Sequence, residues 1–103
     1  MSTTTLVELS LDLDKMPPGF TAELYVQMMV TYALFKAEES LGMSLQSIPK
    51  QLKVGIDLKP CLIGLIFQLP DDATGLRVSK AIKDEFEKAK AADLMDIIAW
   101  ANS

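Results

Sequence analysis

A chain of 103 residues, half of them apolar, can bury roughly two-thirds of its unfolded surface as one domain, which excludes intrinsic disorder. It has no histidine and a single cysteine, Cys61, so it cannot form a Ser-His-Asp triad, a Cys-His dyad, an intrachain disulfide or a structural zinc site. The net charge of −4 is uneven: residues 1–45 hold six acidic and two basic residues, while 46–103 hold eight of each. The N-terminal half therefore repels nucleic acid and anionic membranes and attracts basic protein surfaces.

Residues 5–13 alternate. Val7, Leu9, Leu11 and Leu13 face one way, Glu8, Ser10 and Asp12 the other, which predicts a half-buried strand with Leu6 on its outer face. Met16-Pro17-Pro18-Gly19 stops it. Thr21 then caps a long helix running to about Leu41, with Gly42 at its left-handed end.

This helix is apolar on two sides. Leu24, Tyr25, Met28, Met29, Tyr32 and Phe35 form a broad face. Val26, Val30, Ala33, Ala37 and Leu41 form another, and Gln27, Thr31 and Glu38 mark the polar seam. A helix apolar nearly all round is covered on more than one side. The steps of four, three, four and four in the second stripe, with alanines at its middle, suit close helix approach. They predict a contact with a second copy of the chain, against the alternative that the C-terminal helices cover it.

Residues 43–50 form a connector. Leu52, Val54, Ile56 and Leu58 alternate with Gln51, Lys53, Gly55 and Asp57 as a second strand, and Lys59-Pro60 reverses the chain. Cys61 to Leu69 is a third strand, apolar on both faces, with Leu62 and Ile66 on its second face. Such a strand is central, or is covered by a neighbouring subunit's sheet. Asp72 is expected to cap an amphipathic helix over 73–91, with Val78, Ala81, Ile82, Phe86 and Ala89 as its buried stripe. Asp93 caps a short last helix carrying Leu94, Met95, Ile97, Ile98 and Trp100.

The residues that could carry chemistry are few. Ser47-Ile48-Pro49-Lys50 has the Ser-x-x-Lys spacing of an acyl-enzyme nucleophile, but Pro49 breaks the helical turn that this chemistry requires. Asp12 and Asp14 could share a magnesium ion with Asp71 and Asp72 if the strand ends met; solvated caps are the plainer account. Arg77, Lys80, Lys83 and Lys90 form a basic strip interrupted by Asp84 and Glu87, which reads as a solvated helix face. Gly64 in the third strand suggests close packing of an aromatic from the long helix, Phe35 or Tyr32. Cys61 reads as a buried small hydrophobe.

The expectation is one α+β domain over residues 1–103, in the order β-α-β-β-α-α, with a mainly antiparallel three-stranded sheet and a long helix across one face. No cofactor, metal or catalytic residue is expected. Met1 to Thr5 lacks a basic segment followed by an apolar one, and no apolar run is long enough to span a bilayer, so a cytoplasmic location is expected. The expected function is non-enzymatic binding of a partner protein, by a homo-oligomer meeting through Val26, Val30, Ala33, Ala37 and Leu41. In size and acidity the chain resembles small intracellular inhibitors and adaptors, those of phages and mobile elements among them, with no residue motif behind the likeness. The alternative is a small-ligand or nucleotide module, its pocket between helix and sheet or between subunits, with Tyr25, Tyr32 and Trp100 stacking on the ligand.

Overall fold

Among the described residues, three strands and three α-helices follow one another in the order β1 (Thr3–Leu11), α1 (Ala22–Leu41), β2 (Lys50–Gly55), β3 (Cys61–Leu69), α2 (Asp72–Ala91) and α3 (Leu94–Ala101). The computed structural model describes residues 3–103. The sheet is antiparallel with strand order β1-β3-β2, an α+β arrangement with all helices on one side. Its shortest dimension, 20 Å, is that of one sheet and one helix layer.

Local chemistry sets the element ends. The Thr21 hydroxyl accepts the Leu24 N–H at 3.1 Å, and Gly42 takes a left-handed φ of 66° that lets its N–H reach back to Glu38. Asp93 caps α3 through the Met95 N–H at 2.9 Å.

Three expectations need correction. The first strand ends at Leu11, because the Asp12 carboxylate accepts the Asp14 N–H at 2.9 Å and turns the chain into a 3-10 turn over Leu13–Lys15. The second strand ends at Gly55, so Ile56 and Leu58 lie beyond it. The cap of α2 is Asp71, whose backbone is extended and whose carboxylate accepts the Thr74 N–H at 2.7 Å; Asp72 is the first helical residue. The third strand is central, as its two-sided apolar character predicts, and within the single chain its second face is open.

The core lies between the sheet and the helix layer. Val7, Leu9 and Leu11 of β1 and Cys61, Ile63, Leu65, Phe67 and Leu69 of β3 point into it. α2 packs mainly on α1 and β1, and α3 rests on α1. Val26, Val30, Ala33 and Ala37 are buried within the single chain, and Leu41 packs against the same core. The subunit contact expected along this stripe is therefore corrected: its cover is intrachain. α2 brings the complementary stripe Val78, Ile82, Phe86 and Ala89 against α1, and the alanines allow the two backbones to approach closely.

The connector after α1 is tied down by one carboxylate. The Leu45 and Gln46 N–H groups donate to Oε1 of Glu38 at 2.8 and 2.9 Å, which seats Leu45 fully in the core. Lys50 closes the same loop by donating to the Leu45 carbonyl at 3.0 Å.

Candidate functional site

Two apolar surfaces remain outside the core, one on each side of the two-layer fold. The first is the free face of the sheet. The pairing register places Leu6, Ile66 and Gln51 in one row across the strands, Glu8, Gly64 and Lys53 in the next, and Ser10, Leu62 and Gly55 in the third. Leu6 and Leu62 are 52% and 50% exposed. Leu58, 51% exposed, folds back from the turn onto this face. Gly55 makes that possible, since a Cβ there would stand 2.9 Å from Leu58 Cδ1. Gly64 leaves the middle of the face low, and an open trough of about 380 Å³ runs between Glu8, Lys53 and the three leucines.

Gly64 thus faces away from the helices, which overturns the expected packing of Phe35 or Tyr32 on it. A Cβ at Gly64 would meet only Leu6 Cδ1 at 3.6 Å and the Lys53 carbonyl at 3.9 Å, both ordinary contacts.

The second surface is on the helix layer. Leu24, Met28 and Thr31 of α1, with Trp100 and Ala101 of α3, line an open groove of about 560 Å³. Trp100 stands over α1, its ring centroid 5.1 Å from that of Tyr32 and 5.4 Å from that of Phe35. The Lys36 ammonium lies 5.6 Å from the Tyr32 centroid.

The three aromatics named for ligand stacking do not form a common site. Tyr25 is only 4% exposed and packs edge-on against Phe20, with no free face for a ligand, which corrects its assignment. Burial, and secondarily the negative charge of Asp12, push its phenol pKa upward. Tyr32 and Trp100 do meet, but edge-on against each other. The space between α1 and the sheet is about 210 Å³, lined by Val30, Leu34, Leu52 and Leu65. That is below the range of roughly 300–1,000 Å³ usual for ligand pockets.

The remaining candidate residues are accounted for by local structure. Asp12 and Asp14 lie at the Cys61 end of β3, Asp71 and Asp72 beyond its Leu69 end, so the strands hold the two pairs apart. Among the described residues no group of three or more histidine, cysteine, aspartate or glutamate side chains is arranged to hold a metal ion. Lys80 pairs with Asp84 at 3.7 Å and Lys90 with Glu87 at 3.0 Å, as a solvated helix face does. Cys61 is buried, and desolvation raises its thiol pKa, away from the thiolate a nucleophile needs.

The free sheet face was partly legible in the sequence. Leu6 and the pair Leu62 and Ile66 are apolar residues at outer-face positions, but only the register joins them into one patch. Leu58 carried no such signal, because its alternation with Leu52 and Val54 assigns it to the opposite face. Comparison of the chain with protein-family models, curated proteins and solved structures finds no match.

Proposed function

We propose that this chain is a non-enzymatic intracellular protein-binding module, a small acidic inhibitor or adaptor that works as a homo-oligomer in the cytoplasm. The observation that supports it is the placement of exposed and half-buried apolar side chains on two surfaces facing opposite ways. One is the free sheet face around Leu6 and Leu62; the other is the α1–α3 groove around Leu24, Met28 and Trp100. A module with two such faces can hold its own copy on one and a partner protein on the other. Clustered apolar surface with a polar rim is the usual mark of a protein-binding face.

The groove is assigned to the partner. It offers an aromatic of amphipathic character, Trp100, a residue type enriched at binding hot spots, with Gln27 and Thr31 beside it to hydrogen-bond. The acidic excess of residues 1–45, which include α1, favours a partner with a basic surface.

The test is affinity capture from cells of the source organism with three forms of the chain: unmodified, Leu24→Asp and Leu76→Asp. Leu24 lines the groove, whereas Leu76 is an exposed leucine of α2. The expected result is one partner retained by the unmodified and Leu76→Asp chains and lost from Leu24→Asp. Equal capture by all three forms would remove the groove from the reading. A large thermal shift with a nucleotide or metabolite, and no captured protein, would favour the ligand module instead.

A further inference from the structure

We propose that the free sheet face is a homodimer interface of defined symmetry, with a two-fold axis running between two facing sheets, parallel to β3 and over Gly64. This rests on the reading of the chain as an oligomeric binding module and gives that oligomer its interface.

Charge decides the symmetry. Glu8 and Lys53 stand in one cross-strand row on either side of Gly64, each about 5 Å from β3 and about 10 Å from the other by sheet spacing. Both are exposed, and neither takes part in an ion pair among the described residues. They are the only charged residues in the three central rows, beside neutral Ser10, Gln51 and the apolar Leu6, Leu62 and Ile66. When two such sheets face each other, a two-fold axis parallel to β3 exchanges the β1 side with the β2 side. Glu8 of each copy then lies opposite Lys53 of the other, giving two crossed ion pairs. A two-fold axis running across the strands would set Glu8 on Glu8 and Lys53 on Lys53. Only the first arrangement is electrostatically self-complementary.

The same axis suits the apolar residues. Residues of β3 lie on the axis, so Leu62 meets its own copy and Ile66 meets its own, while Gly64 lets the two central strands close between them. Facing sheets of this kind pack about 10 Å apart. Three strands over seven residues cover roughly 14 by 23 Å, a few hundred Å² on each copy. This is below the size of stable specific interfaces, so the dimer is a weak, reversible one, weakest of all when its charges are mismatched.

Sedimentation equilibrium of the full chain, from about 10 µM to about 1 mM, a span suited to an interface of this size, tests the proposal. The unmodified chain is expected to show a monomer–dimer equilibrium. Glu8→Lys and Lys53→Glu should each weaken it by about tenfold or more, because attraction becomes repulsion at both crossed pairs. An equimolar mixture of the two variants should recover the dimer, since one copy then presents two lysines to the other's two glutamates. The double exchange Glu8→Lys with Lys53→Glu should also recover it. Leu62→Glu, at an exposed position that leaves the fold intact, should abolish it. A chain that stays monomeric throughout, or a dimer indifferent to both single reversals and to Leu62→Glu, overturns the proposal. Partner capture by the monomeric variants reads out the function separately. Capture without dimerisation leaves the binding role standing, and dimerisation without any partner leaves the interface standing.

Discussion

Trp100 meets Tyr32 edge-on, with ring centroids 5.1 Å apart and planes at 84°. Together with Ile97, which is fully buried, this contact holds the eight residues of α3 on α1. An eight-residue helix has little stability of its own, so its helicity comes from the docking. Trp100→Ala removes the aromatic pair and part of the apolar contact. The expected cost is about 1–2 kcal/mol, and the amides of α3 should exchange with solvent well before those of α1 and α2. Ile97→Ala should cost more, about 2–4 kcal/mol, because it leaves a cavity in the core. Thermal denaturation combined with hydrogen exchange measures both.

The single-chain burial of Ala33 and Ala37 changes what charge at those positions does. A subunit-interface stripe would tolerate glutamate in a folded monomer. In this fold both side chains are fully buried on the face of α1 that the rest of the chain covers. Ala33→Glu with Ala37→Glu is expected to abolish folding, since a buried unpaired carboxylate costs several kcal/mol and two exceed the stability of a typical domain. Circular dichroism at room temperature is the measurement, and the expected spectrum is that of an unfolded chain.

The local signals were readable because they are local. Thr21 and Gly42 bracket α1, Asp93 starts α3, and the span Cys61 to Leu69 was evident as a nearly continuous apolar run. Asp71 and Asp72 were not separable, since either carboxylate can cap a helix and only the extended backbone at Asp71 decides. The stripe of Val26, Val30, Ala33 and Ala37 looked free because its partner stripe on α2 lies some fifty residues downstream, and no periodicity within α1 reports it. The open sheet face has the opposite cause. Leu62 and Ile66 mark β3 as apolar on both sides, but all three helices pack on one side, which the apolar pattern of the strand does not encode.

Gly75 of α2 lies against Thr5 of β1, and a Cβ there would collide with the Thr5 hydroxyl oxygen. Two opposing effects follow. Alanine in place of glycine stabilises a helix interior by about 1 kcal/mol, while the collision forces the helix off the strand at about 1–3 kcal/mol. Gly75→Ala is therefore expected to destabilise the unmodified chain. In a Thr5→Ala background the oxygen is gone and the remaining neighbour is the residue 5 Cβ, 3.5 Å away, an ordinary contact. There Gly75→Ala should be neutral or stabilising. A double-mutant cycle in urea checks the reversal of sign, which a loss of glycine flexibility alone would not produce.

Asp71 gives the fold a pH dependence of known sign. Its carboxylate pKa is lowered first by the hydrogen bond from the Thr74 backbone, then by the Thr74 side chain, with smaller help from the Ala73 backbone and Arg77. A carboxylate whose pKa is lower in the folded state than in the unfolded chain stabilises the fold above the unfolded value, about 3.9 for aspartate. That contribution is lost as pH falls below it toward the folded value. Asp71→Ala removes the cap at every pH. The difference in melting temperature between the unmodified chain and Asp71→Ala should thus be constant from neutral pH down to about pH 5 and shrink steadily below about pH 4. Asp71→Asn keeps an acceptor for the Thr74 N–H but cannot titrate, so its difference from Asp71→Ala should stay level across the same range, apart from the titration of other carboxylates common to both. Melting curves of the three forms at half-unit pH steps make the comparison, and the narrowing should appear only against the aspartate form.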